Sequence, residues 1–131
     1  MPRPRTAARW LLATLFVGAG VNHFLNPELY LPLIPPALPA PGFWNAVAGA
    51  AEVAGGAGLL VPRLRRAAGW GLAAMLVGFL WVHVEMLADS GRTALGRAAP
   101  AWALWARLPV QGVLIAWALW VGRPDGRGGR A

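Results

Sequence analysis

Residues 43–66, FWNAVAGAAEVAGGAGLLVPRLRR, set a single carboxylate, Glu52, near the middle of a helix-length apolar run that ends in a cluster of arginines. An ionisable side chain at the centre of a bilayer helix costs about 2.5 to 3.5 kcal/mol to insert, so it normally faces a protein interior and a partner. If this run crosses a membrane, other segments must supply that interior. Three further hydrophobic stretches are long enough to do so.

The composition agrees with a membrane reading, with 57% of the 131 residues hydrophobic and only 13% charged. Soluble domains carry about a quarter. The net charge of +7 comes from twelve arginines and no lysine, set in short clusters between apolar runs instead of along one stripe. Positive-inside topology accounts for that pattern better than nucleic acid does, and no nucleic-acid partner is expected. The absence of cysteine excludes a disulfide framework, thiol exchange, Cys-ligated metal sites and covalent c-type haem. No metal site is expected, and any redox role needs a borrowed carrier.

In chain order, residues 1–9 form a basic N-terminus and residues 10–25, WLLATLFVGAGVNHFL, the first helix, which Thr6, Ala7 and Ala8 can extend to span about 30 Å. A signal peptide cleaved after Val17-Gly18-Ala19 is the competing reading; the later hydrophobic segments favour an uncleaved helix. Residues 26–42 hold six prolines and cannot continue it. Tyr30, Leu31, Leu33, Ile34 and Leu38 make this stretch apolar, so it reads as an interfacial cap or as a hairpin settled in the headgroups. Helix two runs from Phe43 to Val61, with Ala48, Ala51 and Gly55 on one side and Gly49 and Gly56 nearby for close helix contact. Residues 67–88 form helix three and 89–101 an exposed connection. Helix four covers Trp102–Val121, with an apolar part starting near Leu108. The Gly- and Arg-rich segment 122–131 reads as disordered.

The fold expected is therefore all-α, a four-transmembrane-helix bundle (residues 10–121) with a proline-rich cap between helices 1 and 2. Nine arginines fall on one side of this topology and three on the other, which places both termini in the cytoplasm and the chain, multi-pass, in the cytoplasmic membrane. Asn22, His23, Asn45, His83, Glu85, Arg107 and Gln111 then share the outer half with Glu52 near the middle. Asn45 and Glu52, seven apart, share a helix face, as do Arg107 and Gln111 at four apart; all four could line one interior pocket. His83 and Glu85 are about 200° apart and cannot both face it. Glu52 reads either as a carboxyl bonding helices together or as a proton-accepting, ligand-orienting group. His23 and His83 have the disposition a bis-histidine haem needs, a reading that a purified sample without a Soret band removes. The terminal tryptophans read as interface anchors, and Trp81 as a stacking wall.

A histidine before Asn-Pro (His23 to Pro27), the proline-rich cap, Glu52, the turn GLLVPRLRR and RLPVQ opening helix four together resemble the DoxX-like family of small four-helix membrane proteins over residues 16–121. His83-Val84-Glu85-Met86 departs from the family's Asn-x-x-Met ending to helix three. The resemblance implies a link to quinone-associated redox systems, with His23, Glu52, Arg107 and Gln111 as the matching polar residues. Function is thus expected to be that of an accessory subunit or quinone-like molecule binder without independent catalysis, with a redox-enzyme subunit or a second copy as partner. The rivals are a small transporter or proton conductor using Glu52 and a structural membrane partner.

Overall fold

Prolines set the limits of the helices. A computed structural model describes residues 3–35, 37–88 and 100–126; over these the chain is all-α, with helices α1 (Pro4–Leu25), α2 (Pro41–Leu60), α3 (Arg65–Ala88) and α4 (Ala101–Val121). Pro4 and Pro41 stand at helix starts, where the missing amide is not needed. Pro27 stops α1 by forcing Asn26 out of helical geometry, at φ −132° and ψ 61°, and Pro62 follows the end of α2. Between α1 and α2 the proline-rich stretch winds into two short 3-10 turns, Pro27–Leu29 and Leu31–Leu33. Ala40 then enters α2 with a left-handed backbone, φ 54°.

Two boundaries differ from expectation. The N-terminal segment is helical from Pro4, so Arg5 and Arg9 sit on α1 instead of in a loose leader. Helix α4 forms from Ala101 through Pro109 without waiting for Leu108: a proline nitrogen forfeits one ladder bond, which the rest of a 21-residue helix tolerates. The connection expected at 89–101 lies, as far as residue 99, outside the described residues.

Helix α2 packs between α1 and α3, while α4 lies on α3 and touches α1. Each helix runs antiparallel to the next, so α1 closes the ring beside α4. The start of α1 and the stretch after α4 meet at one end, the base, where Arg5 reaches Asp125; the 3-10 turns cap the other. The α1–α2 seam is the closest, because glycine faces glycine across it. A β-carbon on Gly49 would lie 2.8 Å from that of His23, and one on Gly20 only 2.6 Å from the Gly49 carbonyl. Gly56 meets the Ala13 carbonyl lower on the same stripe, while Gly55 and Gly58 turn toward Leu72 and Ala68 of α3. The core, Leu12, Ala13, Phe16, Leu59, Leu72, Leu76, Ala118 and Val121, fills the basal half.

Helix segments Arg65–Glu85 and Trp102–Val121 are long and apolar enough to cross a membrane, with mean hydropathies of 1.6 and 1.4. Only 28% and 22% of these windows is buried, whereas a soluble core helix hides most of its apolar surface.

Candidate functional site

The spacing of Asn45, Gly49, Glu52 and Gly56 places all four on one stripe of α2, and all are buried. The two glycines bring α1 close enough for the two polar side chains to meet His23. His23 Nδ1 lies 2.7 Å from Asn45 Oδ1, and the Asn45 amide nitrogen donates to the His23 backbone carbonyl at 2.9 Å. A carbonyl can only accept, so this second bond fixes the amide's orientation. Oδ1 must then accept from Nδ1–H. The neutral ring is left with its Nε2 lone pair facing Glu52.

Glu52 Oε2 stands 3.4 Å from His23 Nε2. The contact lies outside hydrogen-bond geometry, so Oε2 is buried without a hydrogen-bond partner. A buried carboxyl oxygen lacking a donor is costly, and a donor brought by a ligand would satisfy it.

Tyr30 closes the cap side of this pair. Its ring stacks on His23 with centroids 3.7 Å apart, and its hydroxyl accepts from Asn22 Nδ2 at 2.6 Å. Asn26 Nδ2 in turn donates to Asn22 Oδ1 at 2.6 Å. The proline-rich turns thus hold an aromatic lid on the histidine. Asn22, expected at the site, acts through the lid and does not touch Glu52.

Of the remaining expected residues, His83 and Gln111 form a second cluster between α3 and α4. Gln111 is buried and donates to the Leu76 carbonyl at 2.6 Å, while its Oε1 lies 3.3 Å from His83 Nε2. Arg107 is exposed. Glu85 accepts from Trp81 Nε1 at 3.2 Å on the outer surface, so Trp81 is no stacking wall. The single pocket expected from Asn45, Glu52, Arg107 and Gln111 is therefore two clusters on two helix pairs, with His23 and His83 in different ones. The geometric reason is that α2 contacts α1 and α3 rather than α4. His83 and Glu85 do face different ways, as their spacing requires. A shallow apolar groove of about 310 Å³ between α2 and α3, lined by Gly55, Gly58 and Leu72 among others, lies away from both clusters.

Sequence reading missed a third set of polar residues, at the base. Arg9, only 2% exposed, donates through Nε to the Val121 carbonyl at 2.9 Å. Arg65 likewise donates through Nε to the Leu59 carbonyl at 3.0 Å. Both guanidiniums, together with Arg5, converge on Asp125 at 3.1, 2.8 and 3.1 Å for Arg9, Arg65 and Arg5. Residues 122–126 are held there although the segment reads as a disordered tail; residues 127–131 lie outside the described residues. The signal available in the sequence was Arg9 itself, an arginine directly abutting an apolar helix.

A family model described as a domain of unknown function (DUF8561) matches residues 12–122. No curated protein and no solved structure matches the chain.

Proposed function

The chain belongs to the DUF8561 domain family, a membership that brings no activity with it, and we propose that it is a four-span membrane protein. In this reading it binds the polar head of a small lipophilic, quinone-like molecule at His23 and Glu52, as an accessory component of a redox system. Support for the membrane placement is the inside-out distribution of side chains. Trp10, Leu15 and Phe24 of α1 and Phe43 and Val47 of α2 are exposed, as are Trp70 of α3 and Trp102 and Trp105 of α4. Asn45, Glu52, His23 and Gln111 are buried. An exposed apolar surface on every helix would be a liability in water and is ordinary in lipid. Asn45 and Glu52 lower the hydropathy of α2, yet they turn inward and cost the lipid contact nothing.

The observation that carries the binding reading is the buried Glu52 Oε2 without a donor, beside a histidine whose tautomer Asn45 fixes. A quinol hydroxyl would donate to that oxygen and a quinone carbonyl would accept from protonated His23, inside apolar walls. The likeness to the DoxX-like family is part of the same proposal. Proton conduction is less well supported, because the core from Leu12 to Phe16 and from Leu59 to Leu72 stands between Glu52 and the base.

The test is equilibrium binding of a short-chain ubiquinone analogue to the purified protein in mild detergent. Glu52→Gln and His23→Ala should each weaken binding about tenfold or more, the range for a hydrogen bond to a charged group. Unchanged affinity in both variants would overturn the reading.

A further inference from the structure

The three arginines at the base have no part in the site above. Arg9 and Arg65 are anchored first to the bundle, each by Nε on a carbonyl at the end of a helix, Val121 of α4 and Leu59 of α2. Carbonyls at helix C-termini lack partners within the helix and carry partial negative charge, so a guanidinium is stable there. Anchored in this way, the two guanidiniums turn their Nη edges toward one point beyond the bundle, and Arg5 joins them. Among the described residues, three positive charges converge there on one carboxylate, Asp125, leaving a surplus of two.

The tail fills this cradle loosely. Arg65 meets Asp125 at 2.8 Å. By contrast Arg9 Nη1 reaches Asp125 Oδ2, and Arg9 Nη2 the Arg123 carbonyl, only at 3.4 Å, and Arg5 reaches the Pro124 carbonyl at 3.3 Å. Charge-assisted bonds to a well-matched anion run at about 2.7 to 2.9 Å. Asp125 is 46% exposed whereas the Arg9 side chain is 2% exposed, so the Arg9 donors are fixed and the occupant is open to exchange.

We propose that the Arg5, Arg9 and Arg65 cradle is a binding site for a phosphate group, for which Asp125 is the chain's own competing occupant. A phosphate offers more acceptor oxygens than a carboxylate and carries at least as much charge, one as a diester or up to two as the free ion, toward three guanidiniums; planar guanidinium forks suit it. In the proposed topology the base lies at the headgroup level of the cytoplasmic leaflet, where such groups are concentrated. The site stands apart from the quinone-like reading and survives its failure.

The test titrates the full chain in mild detergent with phosphatidylglycerol, with phosphate-free diacylglycerol as control, and separately with inorganic phosphate. Asp125→Asn should bind about two- to fivefold more tightly than the unaltered protein, the range for removing one exposed ion-pair competitor. Arg9→Gln should lose about tenfold or more, and Arg5→Gln, which leaves the buried anchors intact, should lose less. Tightening with phosphatidylglycerol alone identifies a lipid headgroup as the source, and tightening with both identifies the phosphate group itself. If Asp125→Asn binds neither, or if Asp125→Asn and Arg5→Gln match the unaltered protein, the proposal is wrong.

Discussion

The two ends of the bundle bury polar side chains in opposite ways. At the cap end His23, Asn45 and Glu52 meet across a glycine seam, with one histidine and one acid facing each other and a carboxyl oxygen left over. At the base, among the described residues, three arginines share the one carboxylate of Asp125, and the buried Arg9 is fixed by a helix-end carbonyl. The cap end therefore depends on close backbone approach and neutral hydrogen bonding, whereas the base depends on charge. Salt should distinguish them, because exposed charge pairs are screened and buried hydrogen bonds are not.

The largest expected effect comes from the seam. Gly49→Val would drive side-chain atoms into His23 and α1, and overpacking of this kind costs about 1 to 3 kcal/mol, or more where backbone must move. Thermal unfolding in detergent should show it, and quinone-analogue binding should fall with it. If stability is unchanged, α1 and α2 are not as close as the glycines indicate.

Asn45→Ala should cost somewhat less, about 1 to 3 kcal/mol, because it strips the His23 Nδ1–H of its acceptor and the His23 carbonyl of a donor. It should also release the histidine tautomer, so affinity for the analogue should drop further than stability. An equal fall in both would make Asn45 only a helix fastener.

At the base the effect is smaller and depends on pH. The Arg9 guanidinium bonded to it, with Arg5 and Arg65 beside it, holds the Asp125 carboxyl below the ordinary aspartate value of 3.8. A depressed acid contributes stability above its unfolded value and loses it as the pH falls through the folded one. Asp125→Asn should therefore lower Tm at pH 7 by about 2 °C or less, as suits an exposed pair. The difference from the unaltered protein should shrink as the pH falls below 3.8 and through the folded value, and should shrink in high salt. A difference that persists in acid would mean that the carboxylate charge is not what holds the tail.

The smallest effect sharpens the separation of the two clusters. Gln111→Leu should alter stability but leave quinone-analogue affinity within about 0.5 kcal/mol, and its stability effect should add to that of His23→Ala. Strong coupling would restore the single pocket.

Much of this was legible in the sequence. Prolines at 27 and 62 marked helix limits, and the seven-residue spacing of Asn45 and Glu52 put them on one face, where they are. Spacing did not suffice for Arg107 and Gln111, because four residues leave about 40° of rotation and a long guanidinium escapes outward from the edge of a face. Which helix faces which is a tertiary choice that no local pattern records, so His83 and Gln111 could not be parted from His23 and Glu52 in advance. Tyr30 was read as cap lining, since stacking on His23 depends on the turns between them. Asp125 was hidden in a composition that resembles a disordered tail, and Arg9 among charges that set topology.

The central proposal is that α1 and α2 cross the membrane although their polar residues weaken the apolar signal, because those residues turn into the bundle and away from lipid. The chain has no cysteine, so single-cysteine variants can be labelled with an impermeant maleimide from each side of the membrane. Pro39→Cys, in the exposed cap between α1 and α2, should label only from outside, and Arg63→Cys, between α2 and α3, only from the cytoplasm. Labelling of both from the same side would contradict the account.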